Sequence, residues 1–331
     1  MTNSSKVAIE IIDRGTALRL LPKRDASAHK WSVGGLLIAG GAPGYIGAPA
    51  LAAIAAGRSG AGIVNLAIPR SSVGATAALV PEAVFLPLPE TDSAHGVQKA
   101  IELIAPVAAK TRAIVVGPGL SRDETAAALL GALFGEGQQS TARSMGFGSI
   151  SRDAASEGSP ALVGKSQPAV IDADALHWLS ERESWWTQVE PFSLVLTPHV
   201  GELAALTGTS TEEIVADPAG AALSAAATWQ QTVVLKAGTS WISDGAKVHS
   251  LGTTSPALAT AGSGDVLAGS IGAFLAQGLS PVDAASIAVY VGTEAAKRLT
   301  VEYSTLGVVA GDLPRAIATV LAELEMENGA S

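Results

Sequence analysis

Cysteine is absent from this chain of 331 residues. Its absence excludes disulfides, thiolate metal sites and cysteine nucleophiles, so the chemistry must come from oxygen and nitrogen groups, and it fits a reducing compartment. Charged residues make up only 15% of the chain, and 30 acidic residues against 21 basic ones give a net charge of -9. This balance predicts no general attraction to nucleic acid or to an anionic membrane. A phosphate ligand must therefore be bound by local features.

Long uninterrupted hydrophobic runs are also scarce. The uncharged stretch 39–57 is broken repeatedly by glycine and proline, which fits a loop and a buried helix better than a membrane span. Near the start, Glu10 and Asp13 fall where a secretory signal would need a continuous apolar core. Hydrophobic residues still make up 48% of the chain, which is enough for a sizeable core. The sequence therefore predicts a globular, cytoplasmic protein.

Short apolar runs alternate with alanine-rich stretches of helical length. The runs suit strands that are buried on both faces of a sheet, and they lie at Leu36–Ala39, Ile63–Ala67, Ala113–Val116, Ala169–Ile171, Leu194–Leu196 and Val233–Leu235. The helical stretches are 48–58, 124–134, 219–230, 265–277, 281–299 and 313–324. This alternation predicts an α/β fold with a mostly parallel sheet and helices on both faces. Residues 135–167, rich in serine and glycine, are predicted to form a flexible insertion.

A glycine-rich turn, Gly262-Ser263-Gly264, runs directly into an apolar helix at Asp265. Such a turn lets backbone N–H groups approach a phosphate closely, and the start of the helix favours an anion. Asp265 has two interpretations. It is either a helix N-cap or a carboxylate that accepts a proton or binds a metal beside the anion hole. Its position beside an anion favours the second interpretation.

Polar residues follow two other predicted strands. Asp172 and Asp174 come after 169–171, where they either cap the next helix or orient substrate or Mg²⁺. Thr197-Pro198-His199 follows 194–196, and the end of a strand favours ligand contact for the histidine. The early loop from Gly40 to Gly47 lacks the G-x-G-x-x-G spacing, which disfavours a redox dinucleotide-binding domain.

Six motifs in order resemble the ADP-dependent NAD(P)H-hydrate dehydratase family. They are GYIGA (44–48), VGPGL (116–120), DADAL (172–176), LTPHVGE (196–202), LKAG (235–238) and ATAGSGDVLAG (259–269). The resemblance implies a ribokinase-like fold and a single domain over residues 1–331. It implies hydrated NADH and NADPH as substrates, ADP or ATP as co-substrate, and Mg²⁺. It also suggests a homotetramer that works beside a separate NAD(P)H-hydrate epimerase.

The resemblance also implies roles for individual residues. The family's catalytic base matches Asp265, and its substrate contacts match Ala48, Gly119, His199 and Asp265. The segment that holds the adenine nucleotide matches Lys236, Ala237, Gly238, Thr239, Ser240 and Gly264, and the anion hole matches Gly262, Ser263 and Gly264. Glu202 is placed near the magnesium and the phosphates, with Asp172 and Asp174 as further candidates for that role.

The chemistry implied is phosphorylation of the hydroxyl on the hydrated ring, followed by elimination of phosphate. ADP is favoured over ATP as the donor, and AMP is then the second product. Two other functions stay open at this point. One is a ribokinase-like kinase acting on a thiazole or pyrimidine alcohol, and the other is a nucleotide-binding regulator without turnover.

Overall fold

A computed structural model describes residues 7–136, 161–165 and 167–329. Ten strands form a single sheet: β1 (Ile9–Ile11), β2 (Gly35–Ala39), β3 (Ile63–Pro69), β4 (Val84–Leu88), β5 (Ala113–Val116), β6 (Ala169–Ile171), β7 (Leu194–Leu196), β8 (Thr232–Ala237), β9 (Thr239–Ser243) and β10 (Val248–Ser250). Their order across the sheet is β1-β10-β9-β8-β7-β6-β5-β2-β3-β4.

The strands from β2 to β8 run parallel, whereas β9 is antiparallel to both β8 and β10, and β1 pairs in parallel with β10. The direction of winding changes at β2, which lies between β3 and β5. The connections leaving β2 and β5 therefore separate to opposite sides and open a crevice beyond the carboxyl ends of these two strands. In open α/β sheets, ligands bind at such a point.

The helices cover both faces of the sheet, as the sequence predicts. They are α1 (Arg14–Leu20), α2 (Lys30–Val33), α3 (Gly47–Arg58), α4 (Val73–Leu79), α5 (Ala94–Ala108), α6 (Glu124–Phe134), α7 (Asp174–Ser180), α8 (Val200–Thr207), α9 (Thr211–Ala216), α10 (Pro218–Trp229), α11 (Ser263–Ala276), α12 (Pro281–Gly307) and α13 (Leu313–Gly329). Buried side chains of α1, α3, α11, α12 and α13 form the core on one face. Those of α5 to α10 form the core on the other face. The α/β prediction is confirmed.

Helix α11 is the most deeply buried of the long helices, with ten of its fourteen residues in the core. It packs against α3 at very short range, because a β-carbon at Gly269 would lie only 2.0 Å from the carbonyl oxygen of Ala52. Only glycine allows this approach. The close packing fixes the first turn of α11 beside the loop that precedes α3.

The predicted insertion at 135–167 lies mostly outside the described residues, because 137–160 and 166 are not described. Its described end packs into the fold. The amides of Leu162 and Val163 both donate to the carbonyl oxygen of Leu133, at 2.9 and 3.1 Å, and Val163 is 1% exposed. Val163 therefore belongs to the core on the α6 side of the sheet, and Leu162 packs against it.

Among the helices that the structure describes, none combines the length and the apolar character needed to span a lipid bilayer.

Candidate active site

The first turn of α11 has open backbone amides. Gly262 holds the N-cap position with φ +91°, in the left-handed region, and no side chain caps the helix. The hydroxyl of Ser263 donates to the carbonyl oxygen of Leu258 at 2.8 Å, which holds the turn in place. Uncapped N–H groups at the start of a helix form a ready site for an anion. The amide of Ser263 donates to the carbonyl oxygen of Thr260 at 3.3 Å, so this geometry fits the predicted anion hole through the amides of Gly262 and Gly264.

Asp265 is the third residue of α11, so the N-cap interpretation is wrong. Burial raises the pKa of Asp265 to about 7; the negative charges of Asp172 and Asp174 raise it as well, while Lys236 opposes the rise. A carboxyl with a pKa near neutrality can both accept and release a proton at physiological pH. Asp265 therefore has the protonation behaviour of a general base.

Asp172 is a buried carboxylate and does not cap α7. Its side chain is 3% exposed, and its Oδ1 accepts hydrogen bonds from Thr197 Oγ1 at 2.6 Å and from Lys236 Nζ at 3.1 Å. Three strand ends, those of β6, β7 and β8, are joined by these two bonds. A β-carbon on Gly264 would lie 3.5 Å from Lys236 Nζ, so the ammonium group lies at the edge of the anion hole.

Lys236 lies among several carboxylates. Burial alone would lower the pKa of Lys236, but the attraction of Asp172, Glu202 and Asp265 holds the pKa above its ordinary value. Glu202 shows the opposite balance: burial raises its pKa despite the attraction of Lys236. Lys236 therefore stays protonated, and it offers a fixed positive charge where phosphate would bind.

His199 and Glu202 form a reciprocal capping box at the start of α8. His199 Nδ1 accepts from the amide of Glu202 at 3.1 Å, and Glu202 Oε2 accepts from the amide of His199 at 2.8 Å. The imidazole stays 59% exposed. His199 Nε2 also lies 3.5 Å from Glu202 Oε1, so both ring nitrogens face Glu202 while the exposed face of the ring stays accessible to a ligand.

Ala173 connects the two aspartates through an unusual turn. Its φ of 50° and ψ of -122° match the first central position of a type II′ turn, and the amide of Ala175 closes the turn on the carbonyl oxygen of Asp172 at 3.2 Å. The turn sends the carboxylate of Asp174 away from that of Asp172. Asp174 accepts from the amide of Ser121 at 2.9 Å and from Arg122 Nε at 3.2 Å.

Replacing Ala173 with glycine is expected to stabilise the fold. A β-carbon at this φ and ψ costs about 1–3 kcal/mol, while the extra freedom of glycine in the unfolded chain costs about 0.4–1 kcal/mol. The net gain should be about 1 kcal/mol, measured as a higher midpoint in urea unfolding. Ala175→Gly, in the same turn but without a positive φ, is the control and should destabilise. A lower midpoint for Ala173→Gly would show that the turn is not strained.

A cavity of about 360 Å³ opens on the Lys236 side of α11. All six residues predicted to bind the adenine nucleotide line it, from Lys236 to Ser240 together with Gly264. Sequence reasoning missed the remaining walls, which are contributed mainly by Thr254, Ser255, Pro256, Leu258, Val289, Gly292, Thr293, Leu313 and Ile317. The small residues on α12 repeat at helical spacing, but such a stripe does not distinguish a cavity wall from core packing.

Two of the predicted substrate contacts, Ala48 and Gly119, lie on the other side of the first turn of α11, at the crevice between β2 and β5, whereas His199 follows β7 and pairs with Lys236. A β-carbon on Gly119 would lie 3.0 Å from the β-carbon of Ala48, so these two residues are neighbours. Leu51 lies one helical turn further along α3. A β-carbon added at Gly262 would lie 2.6 Å from Leu51 Cδ1. The turn at Gly262 therefore separates the crevice from the cavity, and Asp265 follows it directly.

The candidate magnesium ligands are not gathered into a protein cluster. Within the described ranges, no three acidic or histidine side chains come close enough to hold a metal. Asp172 is bonded to Lys236, Asp174 to Ser121, and Glu202 caps α8. Mg²⁺ at phosphate sites uses only one or two carboxylates and takes its other ligands from phosphate and water. The donor set fits a metal that arrives with a nucleotide.

Comparison with known proteins places this geometry in a family. The family model described as NAD(P)H-hydrate dehydratase matches residues 36–138 and 145–319. The ADP-dependent (S)-NAD(P)H-hydrate dehydratase of Xanthomonas campestris pv. campestris is 33% identical over 311 residues, covering 93% of this chain and 95% of that protein. The bifunctional NAD(P)H-hydrate repair enzyme of Moorella thermoacetica is 36% identical over 309 residues.

The Moorella match covers 93% of this chain but 53% of that protein, so the chain spans about half the length of the bifunctional relatives. Among solved structures, the Bacillus subtilis ADP/ATP-dependent NAD(P)H-hydrate dehydratase co-crystallised with ATP and Mg²⁺ has a TM-score of 0.74 at 26% identity. That similarity covers 96% of this chain and 99% of the other. These similarities confirm the ribokinase-like fold and the family resemblance, and the chain belongs to the NAD(P)H-hydrate dehydratase family.

Proposed function

We propose that the chain is an ADP-dependent dehydratase that restores NADH and NADPH from their hydrated forms. The observation that carries the proposal is the position of Asp265. This carboxyl, whose pKa is raised to about 7, lies on the first turn of α11 between the nucleotide cavity and the crevice at Ala48 and Gly119. A base between two binding regions can act on a hydroxyl of one ligand as that hydroxyl attacks the phosphate of the other.

The reaction has two steps. Asp265 accepts the proton of the hydroxyl on the hydrated ring, the oxygen bonds to the terminal phosphorus of ADP, and AMP leaves. Phosphate then departs from the ring carbon and takes up the proton that the neighbouring carbon loses, and the double bond of the dihydronicotinamide forms again. We infer that the open amides of Gly262 and Gly264 and the ammonium of Lys236 stabilise the negative charge that develops on the phosphate.

Mg²⁺, when bound with the nucleotide, would neutralise phosphate charge. Asp172 and Glu202 are the carboxylates on the Lys236 side of the anion hole that would hold it, because Lys236 is attracted to both. Asp172 is the strongest candidate, because its bonds from Thr197 and Lys236 both use Oδ1, whereas both oxygens of Glu202 face His199 and those of Asp174 accept from Ser121 and Arg122. ATP is the alternative donor in this proposal.

Two proposals concern assembly. Val301 and Leu306, 90% and 95% exposed at the end of α12, supply apolar surface that supports a homo-oligomer, for which we propose a tetramer. The relatives named as bifunctional repair enzymes are about twice as long as this chain, which supports work beside a second repair activity, for which we propose an NAD(P)H-hydrate epimerase. Light scattering of the purified chain tests the first proposal, and faster repair of mixed epimers when an epimerase is added tests the second.

The central experiment incubates the protein with hydrated NADH, Mg²⁺ and either ADP or ATP, and follows the return of dihydronicotinamide absorbance. Release of phosphate with AMP from ADP supports the dehydratase. A stable phosphorylated alcohol would identify a kinase instead, and ADP binding without any consumption would identify a regulator. The same assay, repeated with each donor, decides between ADP and ATP.

The activity should depend on pH through Asp265. Because the base must be ionised, kcat/KM for hydrated NADH is expected to rise as the pH increases through about 7, the pKa of this carboxyl. Asp174→Asn removes a negative charge that raises this pKa, so the rise in kcat/KM should occur at lower pH in this variant. If kcat/KM rises over the same pH range in both proteins, the pH dependence belongs to another group.

A further inference from the structure

Tyr45 places an aromatic ring at the crevice where the strand order reverses. The residue is 60% exposed. Its main chain is nevertheless fixed. The amide of Tyr45 donates to the carbonyl oxygen of Ala42 at 2.8 Å, and the Tyr45 carbonyl oxygen packs so closely on Gly119 that a β-carbon added there would lie 2.7 Å from it. An exposed ring on a fixed backbone offers a flat apolar surface at low entropic cost.

The surroundings of Tyr45 leave room for a second ring. β-Carbons added at Gly44 or Gly47 would meet nothing within 4 Å, so the positions on either side of Tyr45 face open space. Among the described residues, the Tyr45 ring stacks on no other aromatic ring, and Tyr45 belongs to neither hydrophobic core. The ring is therefore free to stack on a ligand.

Tyr45 also lies in line with the proposed base. Leu51 lies beside Gly262, Ala48 comes one turn earlier on α3, and Tyr45 comes just before the helix begins. At 1.5 Å per residue, the row from Leu51 to Tyr45 extends roughly 9 Å from the turn that carries Asp265. A dinucleotide whose reacting ring lies at Asp265 is long enough to place its second base beyond that distance.

We propose that Tyr45 stacks on the adenine ring of the hydrated dinucleotide while the hydrated nicotinamide ring lies at Asp265. This assignment rests on the proposed function. The adenine of ADP belongs to the separate cavity lined by Lys236 to Ser240, so Tyr45 does not contact the co-substrate. Tyr45 is therefore a specificity residue that distinguishes dinucleotide from mononucleotide substrates.

The test compares two substrates, hydrated NADH and the hydrated form of reduced nicotinamide mononucleotide, which lacks adenosine. Base stacking on an aromatic ring is lost in Tyr45→Ala, so KM for hydrated NADH should rise about tenfold with kcat little changed. KM for the hydrated mononucleotide and for ADP should stay at the wild-type values. Tyr45→Phe keeps the ring and should match wild type with both substrates.

An equal rise in KM for both substrates would overturn the assignment, because it would mean that Tyr45 shapes the loop. An unchanged KM for hydrated NADH would overturn it as well. If Tyr45→Ala does not fold, Tyr45→Trp gives the same test in the other direction, with a lower KM for hydrated NADH alone expected. A wild-type protein that turns over neither substrate would instead refute the proposed dehydratase, so the two failures are distinguishable.

Discussion

Asp265→Asn is expected to lower turnover of hydrated NADH by about 10²–10⁴-fold, the usual contribution of a general base. Asparagine has nearly the same size, and Gly262, not Asp265, is the N-cap of α11, so the helix should form unchanged. Affinity for ADP should stay within about an order of magnitude of wild type, because the substitution removes only a charge near the phosphates. The measurements are steady-state turnover and calorimetric ADP binding.

The same variant should be more stable than wild type at pH 8. The pKa of Asp265 is about 7 in the folded protein and ordinarily 3.8, so wild type loses stability as the pH rises from 3.8 to about 7. Asparagine does not titrate and avoids that loss. Asp283→Asn, at the third residue of α12, is the matched control and should keep full turnover. If Asp265→Asn retains more than about a tenth of wild-type turnover, Asp265 is not the base.

Lys236→Met is expected to have the largest effect on stability. It leaves the buried carboxylate of Asp172 with Thr197 as a partner but without its cation, and removing one partner of a buried ion pair costs about 3–5 kcal/mol. Since Lys236 is 26% exposed and solvent screens part of the charge, the lower end of that range is expected. The loss of a charged hydrogen-bond donor should also weaken ADP binding about 10- to 100-fold.

Urea unfolding and calorimetry measure these two effects. Lys247→Met is the matched control, since it breaks the exposed pair with Glu10 and should scarcely move the unfolding midpoint. Adding Asp172→Asn to Lys236→Met removes the unpaired charge and should restore much of the stability, but not the affinity for ADP. A Lys236→Met variant that unfolds at the wild-type urea concentration would show that the pair does not stabilise the fold.

The central strands were predictable from sequence and the edge strands were not. Helices cover both faces of the sheet at strands β2, β3 and β5 to β8. The sequences of these strands are therefore short, continuous apolar runs. Strands β1 and β4 are the two edges, where side chains meet solvent, while β9 and β10 are short strands with polar residues such as Ser243, His249 and Ser250. Ile9, Ile11 and Val84 are all exposed, and an exposed side breaks the apolar pattern on which the prediction depends.

The motifs likewise predicted where site residues lie but not how they pair. Each motif marks the end of one strand or the start of one helix, which is enough to bring Asp172, Lys236 and Gly264 to the same edge of the sheet. The hydrogen bond from Thr197 and the bond from Lys236 join residues 25 and 64 positions from Asp172. Such pairings depend on strand order, which a single sequence does not contain.

The pairing of β1 with β10 has a consequence for the order in which the chain folds. Ile9 lies opposite Val248, and Arg14 near the start bonds to Glu327 near the end. During synthesis at roughly 5–20 residues per second, the first strand must wait roughly 12–50 s for its partner to be made. The amino-terminal segment is therefore the last part of the sheet to be protected from proteases and from mispairing with neighbouring chains, long after β2 and β3 can pair.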